Sequence, residues 1–378
     1  MPPATKFPPD DALWQPLLDK LRSLVVAGPN RVETPPIFAE NIEEVPENWQ
    51  QGWPREPLAA LAAAGVHKVF APAPCGGDEW PETTQIELYR QLASVCLTTA
   101  FVLTQRNGAL RRICDFGSPE VIQRWVPGLL SGELFGTVAI SHLTTSRQHL
   151  GQAALLAEPT NSGWILNGTS PWVTGAVAAD VIVTGATLPD GQQVLLAVPA
   201  NLPGIRCRTP YLLLALNESC TGEVEWHNVS VPRDCLLAGP QANVLASPAG
   251  AKTGGLNTSA LALGHAHASL AVLAREAERR GELNPIWREL TQECAAATQQ
   301  LRELAAGTDV CPAGELRARA NSLALRSAQA SLSASKGTGF VAGHPAERFC
   351  REALFFLVWS CPQGVVNANL CEFARIET

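Results

Sequence analysis

The chain has 378 residues, of which 46% are hydrophobic and 17% are charged. This length and composition allow a large apolar core, which excludes intrinsic disorder for most of the chain and predicts two or three domains. Its 28 basic residues are outnumbered by 35 acidic ones, giving a net charge of −7, and this balance argues against a nucleic acid as the partner.

Neither a membrane span nor a metal site is predicted. Met1–Asp10 lacks the apolar core of a secretory signal, and apolar stretches such as Leu58–Val66 are too short to span a bilayer. The eleven cysteines include no CxxC pair, and His265 and His267 are expected on different sides of a helix. We therefore expect a soluble, cytoplasmic protein without a bound metal, whose cysteines are reduced, buried and apolar.

The first region, to about residue 132, has the periodicity of helices. The leucines of Leu13–Leu24 recur at spacings of three and four, and Ile86–Leu103 is a second long helical run. Ser118–Glu120 combines an N-cap residue, a first-turn proline and a first-turn acid, which predicts a helix start. We expect a helical domain over residues 1–132.

The second region, about residues 133–240, contains short strand-like runs. Gly163–Gly168, Asp180–Thr184 and Gln193–Val198 are rich in strand formers, and Pro189–Gly191 predicts a turn between the last two. Glu223–Val229 alternates with period two, as a strand with one wet face does. Strands without intervening helices predict an antiparallel sandwich or barrel domain.

The third region, residues 241–378, is helical again. Four segments rich in Ala and Leu are separated by short breaks, and they cover residues 256–280, 285–306, 315–336 and 346–359. Long amphipathic helices with short connections predict a four-helix bundle.

Several local sequences occur in a characteristic order. They are Pro72–Gly77, Phe116–Glu120 followed by Gly132-Glu133, Trp164–Thr174 followed by Ala179-Asp180, Val231–Asp234 with Leu236-Leu237, and Gly337–Phe340 followed by His344-Pro345, Glu347-Arg348 and Arg351-Glu352. With the domain order, they resemble the acyl-CoA dehydrogenase family. The resemblance implies an α+β fold with an N-terminal helical domain, a central antiparallel β-domain and a C-terminal four-helix bundle. It also implies FAD, with FMN as the alternative, and assembly into homodimers or homotetramers.

The resemblance assigns a flavin-ring site to the β-domain. Trp172 would close one face of the ring, and Thr174 would hydrogen-bond its N5 edge. The adjoining Val173 is included in the site, and Ala139, Ile140 and Ser141 would lie along the pyrimidine side. An aromatic cover and a donor at the reactive nitrogen confine chemistry to the open face of a flavin. The alternative is that Trp172 is a tryptophan of the sheet core.

The resemblance assigns the FAD diphosphate to the bundle. Arg280 stands where the family has an arginine that reaches the diphosphate of a neighbouring subunit, and Ser333 and Gly337 lie in the stretch that matches the family's Q-x-x-G-G. Leu283, Thr291, Ser333 and Lys336 depart from the family pattern, and Ser333 and Lys336 replace the glutamine and the first glycine of that stretch. The alternative is that Arg280 is a solvated cation at a helix end.

The family's catalytic glutamate is missing. Its position, nine residues after Arg351, is occupied by Ser360, and the alternative position used by some relatives is Gly254. A serine hydroxyl is a poor base unless a second group activates it. In the loop beside the substrate, His142 stands in place of an acid and is a candidate acid or base, and Arg147 is a candidate anchor for an anionic substrate. The alternatives are a solvent-facing histidine and an exposed surface charge.

Three functions remain open. The first is a flavin-dependent oxidoreductase of the acyl-CoA dehydrogenase type, acting on an acyl thioester or a related small molecule, with an electron-transfer partner. The second is a monooxygenase of the same fold, which takes reduced flavin from a separate reductase and does not need the glutamate. The third is a non-catalytic relative with a degenerate flavin site.

Overall fold

A computed structural model describes residues 11–27, 52–144, 153–246 and 255–376. By contacts the chain divides into two compact units. The bundle unit comprises Met1–Thr34, Trp80–Ala100 and Gly254–Thr378, and the sheet unit comprises Pro35–Glu79 and Phe101–Thr253. The domain boundaries at residues 132 and 240 are placed where the sequence pattern changes between helix and strand, not from contacts. They stay a prediction.

The helices are α1 Asp11–Ala27, α2 Arg55–Ala63, α3 Val66–Val69, α4 Glu82–Val95, α5 Leu97–Phe116, α6 Pro119–Ser131, α7 Ser141–Thr144, α8 Leu256–Arg279, α9 Asn284–Ala305, α10 Ala313–Ala334, α11 Lys336–Gly339, α12 Pro345–Ala353 and α13 Gln363–Ala374. The strands are β1 Gly136–Ala139, β2 Leu155–Pro159, β3 Gly163–Val173, β4 Val181–Thr187, β5 Gln193–Pro199, β6 Ile205–Cys207, β7 Gly222–Pro232 and β8 Leu236–Gln241. Among the described residues, no helix has the length and apolarity needed to cross a membrane.

The predicted helical run Ile86–Leu103 is wrong in one respect, because it is two helices. Cys96 between α4 and α5 is extended, with φ −148° and ψ 105°. Its Sγ accepts hydrogen bonds from the Thr99 amide at 3.4 Å and the Thr99 hydroxyl at 3.2 Å. The thiol thus replaces the usual serine or aspartate as the cap of α5. The predicted start of α6 is confirmed, since Ser118 Oγ accepts from the Val121 amide.

Three of the four predicted C-terminal helices match α8, α9 and α10, but the fourth is shorter than predicted. α12 ends at Ala353, and a 3-10 turn over Leu354–Leu357 follows it. Ser360 then adopts a left-handed φ of 48°, and Pro362 precedes the additional helix α13, which the periodicity did not reveal. A left-handed residue followed by a proline interrupts a helix.

The strands form one connected sheet in the order β6-β7-β3-β2-β4-β5-β8, with β1 paired to β4. Most neighbours run antiparallel as predicted, but β4 pairs in parallel with both β1 and β2, so the sheet is mixed. Along β4, Val181 and Val183 pack with residues of α5 and α6, whereas Ile182 packs with residues of β3 and β7. Burial on both faces explains why this strand reads as a continuous apolar run.

The cysteines follow the prediction of burial only in part, whereas the two histidines lie on different faces as predicted. All eleven cysteines are free, and burial is complete for Cys220, Cys235 and Cys294, while the other cysteines are half-buried. Burial raises the pKa of the Cys235 thiol to about 11, with Asp234 adding to the effect. His265 is buried in α8 and His267 is exposed, so the two do not share a face.

Within the bundle unit, α8 crosses α4 at a point where only glycine fits. A Cβ on Gly264 would lie 2.1 Å from the carbonyl oxygen of Arg90. Since that neighbour is backbone, it cannot move aside as a side-chain end would. Gly264 therefore sets the distance between these helices.

We expect Gly264→Ala to lower the free energy of unfolding by about 3 kcal/mol, because overpacking forces two backbones apart. Gly314 in α10 has open space around its Cβ position, so the matched control Gly314→Ala should gain about 0.5 to 1 kcal/mol from helix propensity. Urea denaturation followed by circular dichroism measures both changes. A Gly264→Ala protein as stable as the wild type would contradict the close crossing.

A buried carboxylate in α4 joins two helices of the same unit. Glu87 accepts hydrogen bonds from Arg90 Nη2 at 2.5 Å and from Arg302 Nη2, on α9, at 3.1 Å. Burial by itself would raise the pKa of Glu87, but the two arginines outweigh it and hold that pKa below the usual 4.5. A carboxyl with a lowered folded pKa stabilises the fold above its unfolded pKa, and this contribution is lost as pH falls through the folded pKa.

Glu87→Gln should therefore lower the free energy of unfolding by about 2 to 3 kcal/mol at pH 7. The loss should be smaller than for a fully buried ion pair, because Arg302 is half exposed. The difference from wild type should begin to shrink as pH falls below the ordinary carboxyl pKa of 4.5, and it should be lost as pH falls through the lower pKa of the folded protein. Urea midpoints measured between pH 7 and pH 3 test this. The exposed pair of Glu315 with Arg319 supplies the control, and Glu315→Gln should change stability by under about 0.5 kcal/mol. A pH-independent difference for Glu87→Gln would count against the ion pair.

Candidate functional site

The end of β3 presents one bulky aromatic side chain to solvent. Trp172 has a left-handed φ of 58°, and its side chain is 53% exposed, whereas Val173 and Thr174 are buried. A non-glycine residue in this conformation is strained and persists only where the surroundings hold it. The alternative that Trp172 is a core tryptophan is therefore excluded; Trp164 and Trp226 take that role in the sheet.

Hydrogen bonds from neighbouring elements hold the backbone on both sides of Trp172. Ser141 Oγ, at the start of α7, donates to the carbonyl of Pro171 at 2.7 Å. Thr137 Oγ1, in β1, donates to the carbonyl of Thr174 at 2.6 Å. These bonds fix the residues before and after the tryptophan, and they explain how a strained position is maintained.

The predicted residues of the pyrimidine side lie next to this segment. Ala139 and Ile140 are buried at the end of β1, and the Ala139 carbonyl accepts from Thr184 Oγ1 at 2.9 Å. Ser141 follows directly and makes the bond to Pro171. The structure thus brings the sheet-unit residues of the predicted site together in one place.

Three residues beside this segment were missed by the sequence reasoning. The rings of Trp172 and Tyr211 meet with centroids 4.9 Å apart at 54°. Thr174 Oγ1 lies 3.0 Å from Thr221 Oγ1, which lies 2.8 Å from Ser219 Oγ. None of these belongs to a motif. The β3–β7 register, which opposes Val173 to Gly222, and backbone hydrogen bonds of the 208–221 segment bring them here.

His142 is buried rather than exposed. Its Nε2 lies 2.8 Å from the carbonyl oxygen of Gly185 in β4. A carbonyl only accepts, so Nε2 carries the proton and Nδ1 is the basic atom of the neutral ring. The alternative of a solvent-facing histidine is excluded. Arg147 lies outside the described residues, as does Gly254.

The predicted diphosphate residues meet at one end of the bundle unit. Arg280 Nη2 donates to Glu276 Oε2 at 2.9 Å and also to the carbonyl of Ala334, the last residue of α10. Ser333 and Gly337 are exposed at the same helix end. Arg280 is thus tied to α10 and is not simply a solvated helix-end cation, but its charge is partly offset by Glu276.

Ser360 lies in a turn held by two side chains of α10. Arg317 Nη2 donates to the Trp359 carbonyl at 3.1 Å, and Asn321 Nδ2 donates to the Phe356 carbonyl at 2.9 Å. Arg317 is only 4% exposed, and burial lowers the pKa of its guanidinium to about 10, partly opposed by the Cys361 thiol. Within the described residues, no aspartate or glutamate forms an ion pair with Arg317. A buried positive charge therefore stands beside the serine.

Comparison with known proteins gives a consistent set of relatives. Residues 34–133 match the family model "Acyl-CoA dehydrogenase, N-terminal domain". The chain is 25% identical over 283 residues to the mitochondrial short-chain specific acyl-CoA dehydrogenase of Mus musculus, which covers 70% of this chain and 68% of that protein. It is 27% identical over 190 residues to the dibenzothiophene monooxygenase of Mycolicibacterium goodii, covering 48% of this chain and 45% of that one.

A solved structure supports the same fold. The glutaryl-CoA dehydrogenase of Mycobacterium smegmatis, in complex with FADH2, matches with a TM-score of 0.75 at 18% identity, over 97% of this chain and 96% of that one. At this identity the likeness concerns the fold. It confirms the predicted order of N-terminal helices, central sheet and C-terminal helices.

Proposed function

Because the chain belongs to the acyl-CoA dehydrogenase family of flavoprotein oxidoreductases, we propose that it binds FAD and oxidises an acyl thioester or a related small organic molecule. FMN is the alternative cofactor. The observation that carries the proposal is Trp172, a half-exposed indole held in a strained conformation two residues before the Thr174 hydroxyl. Strain maintained at an exposed aromatic residue is typical of a binding site.

The residues at the end of β3 fit a flavin ring. A bound flavin supplies hydride or oxygen chemistry at its ring. Trp172 would cover one face, the Thr174 hydroxyl would bond the N5 edge, and Val173 would lie between them. Ala139, Ile140 and Ser141 would lie along the pyrimidine side. The donors here are hydroxyls and backbone groups, which suit a neutral heterocycle.

The bundle residues fit a diphosphate only in part. We propose that Arg280, with Ser333 and Gly337, reaches the FAD diphosphate of a second copy of the chain. Glu276 competes for the same guanidinium at 2.9 Å, which weakens its attraction for an anion. FMN would need no such contact, and this supports retaining it as the alternative.

Proton transfer would differ from that in a family member that has the catalytic glutamate. Ser360 has no carboxylate, and the buried Arg317 guanidinium opposes uptake of a proton by its neighbours. We propose His142, through Nδ1, as the acid or base, and Arg147 as the anchor of an anionic substrate. Ser360 would then act only as a hydrogen-bonding group.

The absent carboxylate favours a second candidate function. A monooxygenase of this fold, supplied with reduced flavin by a separate reductase, does not abstract the α proton of a thioester. The similarity to a dibenzothiophene monooxygenase supports this alternative. A third, a non-catalytic relative with a degenerate flavin site, is supported only by the Arg280–Glu276 pair. Free cysteines throughout support a reducing compartment, so we propose the cytoplasm.

The cofactor and substrate can be tested together. We expect the purified protein to bind flavin, identified by denaturing release and mass spectrometry, and acyl-CoA to bleach it slowly or not at all. Ser360→Glu should then speed bleaching by between about tenfold and about 100-fold. The increase should stay below the ~100-fold that a general base usually supplies, because Arg317 would lower the pKa of the new carboxylate. Oxygen consumption only with a flavin reductase would select the monooxygenase instead.

The control for that experiment is Ser230→Glu, which adds the same charge at an exposed position of β7 and should leave bleaching unchanged. Flavin-loaded Ser360→Glu with wild-type bleaching would contradict the assignment of position 360. Colourless protein that ignores added FAD and FMN would contradict the flavin function itself.

We further propose that the chain assembles into homodimers or homotetramers through the C-terminal part of the bundle unit. Apolar side chains there are unusually exposed, among them Phe340 at 81% and Val358 at 78%, and others of the same kind at Leu370, Phe373 and Ile376. Concentrated exposed apolar surface marks an interaction site, and a second copy is the partner that a symmetric oligomer supplies.

Phe340→Asp combined with Phe373→Asp should therefore shift the protein to a smaller species. Light scattering coupled to size-exclusion chromatography measures this at micromolar concentration. Val310→Asp, in the exposed connection between α9 and α10, is the control and should leave the mass unchanged. Wild-type protein that runs as a monomer would refute the assembly proposal.

A further inference from the structure

One segment of the sheet unit contacts both side chains assigned to the flavin ring. The 208–221 segment, between β6 and β7, carries Tyr211 against the ring of Trp172 and Thr221 against the hydroxyl of Thr174. Its own backbone joins the two, since the Tyr211 amide donates to the Thr221 carbonyl at 2.8 Å. We infer that Thr221 is a positioning residue that, with Ser219, aims the Thr174 hydroxyl as a donor at the edge of the bound ring. This inference rests on the proposed flavin site.

The contacts form a chain of three hydroxyls. Ser219, Thr221 and Thr174 are all buried, and successive oxygens lie 2.8 Å and 3.0 Å apart. Each hydroxyl has one proton to donate and can also accept. Buried hydrogen bonds in series polarise one another, so the last hydroxyl becomes a stronger donor.

The end of this chain sets its direction. Ser219 is fully buried, and within the described residues its hydroxyl has Thr221 Oγ1 as its hydrogen-bond partner, so Ser219 is assigned as the donor. Ser219 therefore donates to Thr221, and Thr221 donates to Thr174. The remaining proton, on Thr174, is left for a ligand. Reversal of the chain would leave the Ser219 proton buried without an acceptor, which is costly.

The backbone around the chain is held in place. Gly175, which follows Thr174, donates its amide to the Ser219 carbonyl at 3.0 Å. Leu216 and Cys220 have left-handed φ values of 66° and 46°, so the segment is locally strained on either side of Ser219. A strained, internally bonded segment keeps its hydroxyls in register with β3.

A donor fixed in this way distinguishes the two redox states of a flavin. The oxidised ring accepts at N5, and the reduced ring carries a proton there. Thr174 as a fixed donor should therefore bind the oxidised form more tightly than an unaligned hydroxyl would. Removal of the Thr221 hydroxyl should weaken oxidised flavin binding and raise the midpoint potential.

The test compares Thr221→Val with Thr221→Ser in the full-length protein. Thr221→Val removes the hydroxyl and keeps the shape, and we expect the Kd for oxidised flavin, by fluorescence titration, to rise three- to tenfold. The midpoint potential, measured by dye equilibration, should also rise. The rise should be about 30 mV for each tenfold by which the increase in Kd for oxidised flavin exceeds the increase in Kd for reduced flavin. Thr221→Ser keeps the hydroxyl and should restore both values to within twofold of wild type. Thr187→Val, the same change at the end of β4, is the control and should alter neither.

Each of the following results overturns either the inference about Thr221 or the proposed flavin function. Wild-type flavin binding that Thr221→Val leaves unchanged overturns the inference alone, as does a Thr221→Ser protein as impaired as Thr221→Val. Wild-type protein that binds no flavin overturns the proposed function and the inference with it. If Thr221→Val does not fold, Ser219→Ala replaces it, with an expected two- to threefold rise in Kd, and no rise overturns the inference.

Discussion

The candidate site depends on how the backbone passes through Trp172. In a regular strand, residues two apart point to the same face, yet Trp172 is 53% exposed and Thr174 is 2% exposed. The difference arises because the β3–β7 register shifts between Ser170 and Val173, and because Trp172 takes a left-handed φ. Such an irregularity re-aims side chains at the end of a strand. One indole is thereby turned outward while a hydroxyl two residues later is turned inward.

Hydrogen bonds from hydroxyl groups stabilise this strained conformation. Ser141 and Thr137 bond the carbonyls that flank the tryptophan, and Thr221 bonds the side chain of Thr174. All of these donors are neutral and buried or half-buried, so they hold the segment without adding charge to it. In the bundle unit, by contrast, Arg280 and Arg317 carry charge. Arg280 is offset by Glu276, whereas Arg317 bonds the Trp359 carbonyl and lies over the rings of Phe356 and Trp359.

The sequence predicted those features that depend on local patterns. Period-two alternation located β7, continuous apolar runs located β4 and β5, and Ser118 correctly marked the start of α6. The break at Cys96 was not predictable in this way, because a thiol seldom caps a helix and the flanking periodicity continues through it. The parallel pairings of β4 depend on strand order, which single-sequence patterns do not encode.

The same distinction applies to the site. Trp172 and Thr174 were found because a motif carries them, whereas Thr221 lies 47 residues away and belongs to no motif. The pairing of Val173 with Gly222 brings it alongside. His142 was recognised as a departure from the family pattern, but its burial against Gly185 follows from the position of β4 and was not visible in the loop sequence.

Two independent features limit the chemistry that this arrangement supports. In the inferred direction the hydroxyl chain Ser219–Thr221–Thr174 ends in a donor, so it favours a ligand edge that accepts a hydrogen bond. At Ser360, the buried guanidinium of Arg317 favours negative charge and disfavours a group that must gain a proton. A glutamate enzyme needs the opposite at that position, a carboxylate whose pKa is raised so that it can take a proton from carbon. In the proposed reaction, the cation beside Ser360 therefore favours an anionic substrate, and removal of a proton from carbon is assigned to His142 and not to position 360.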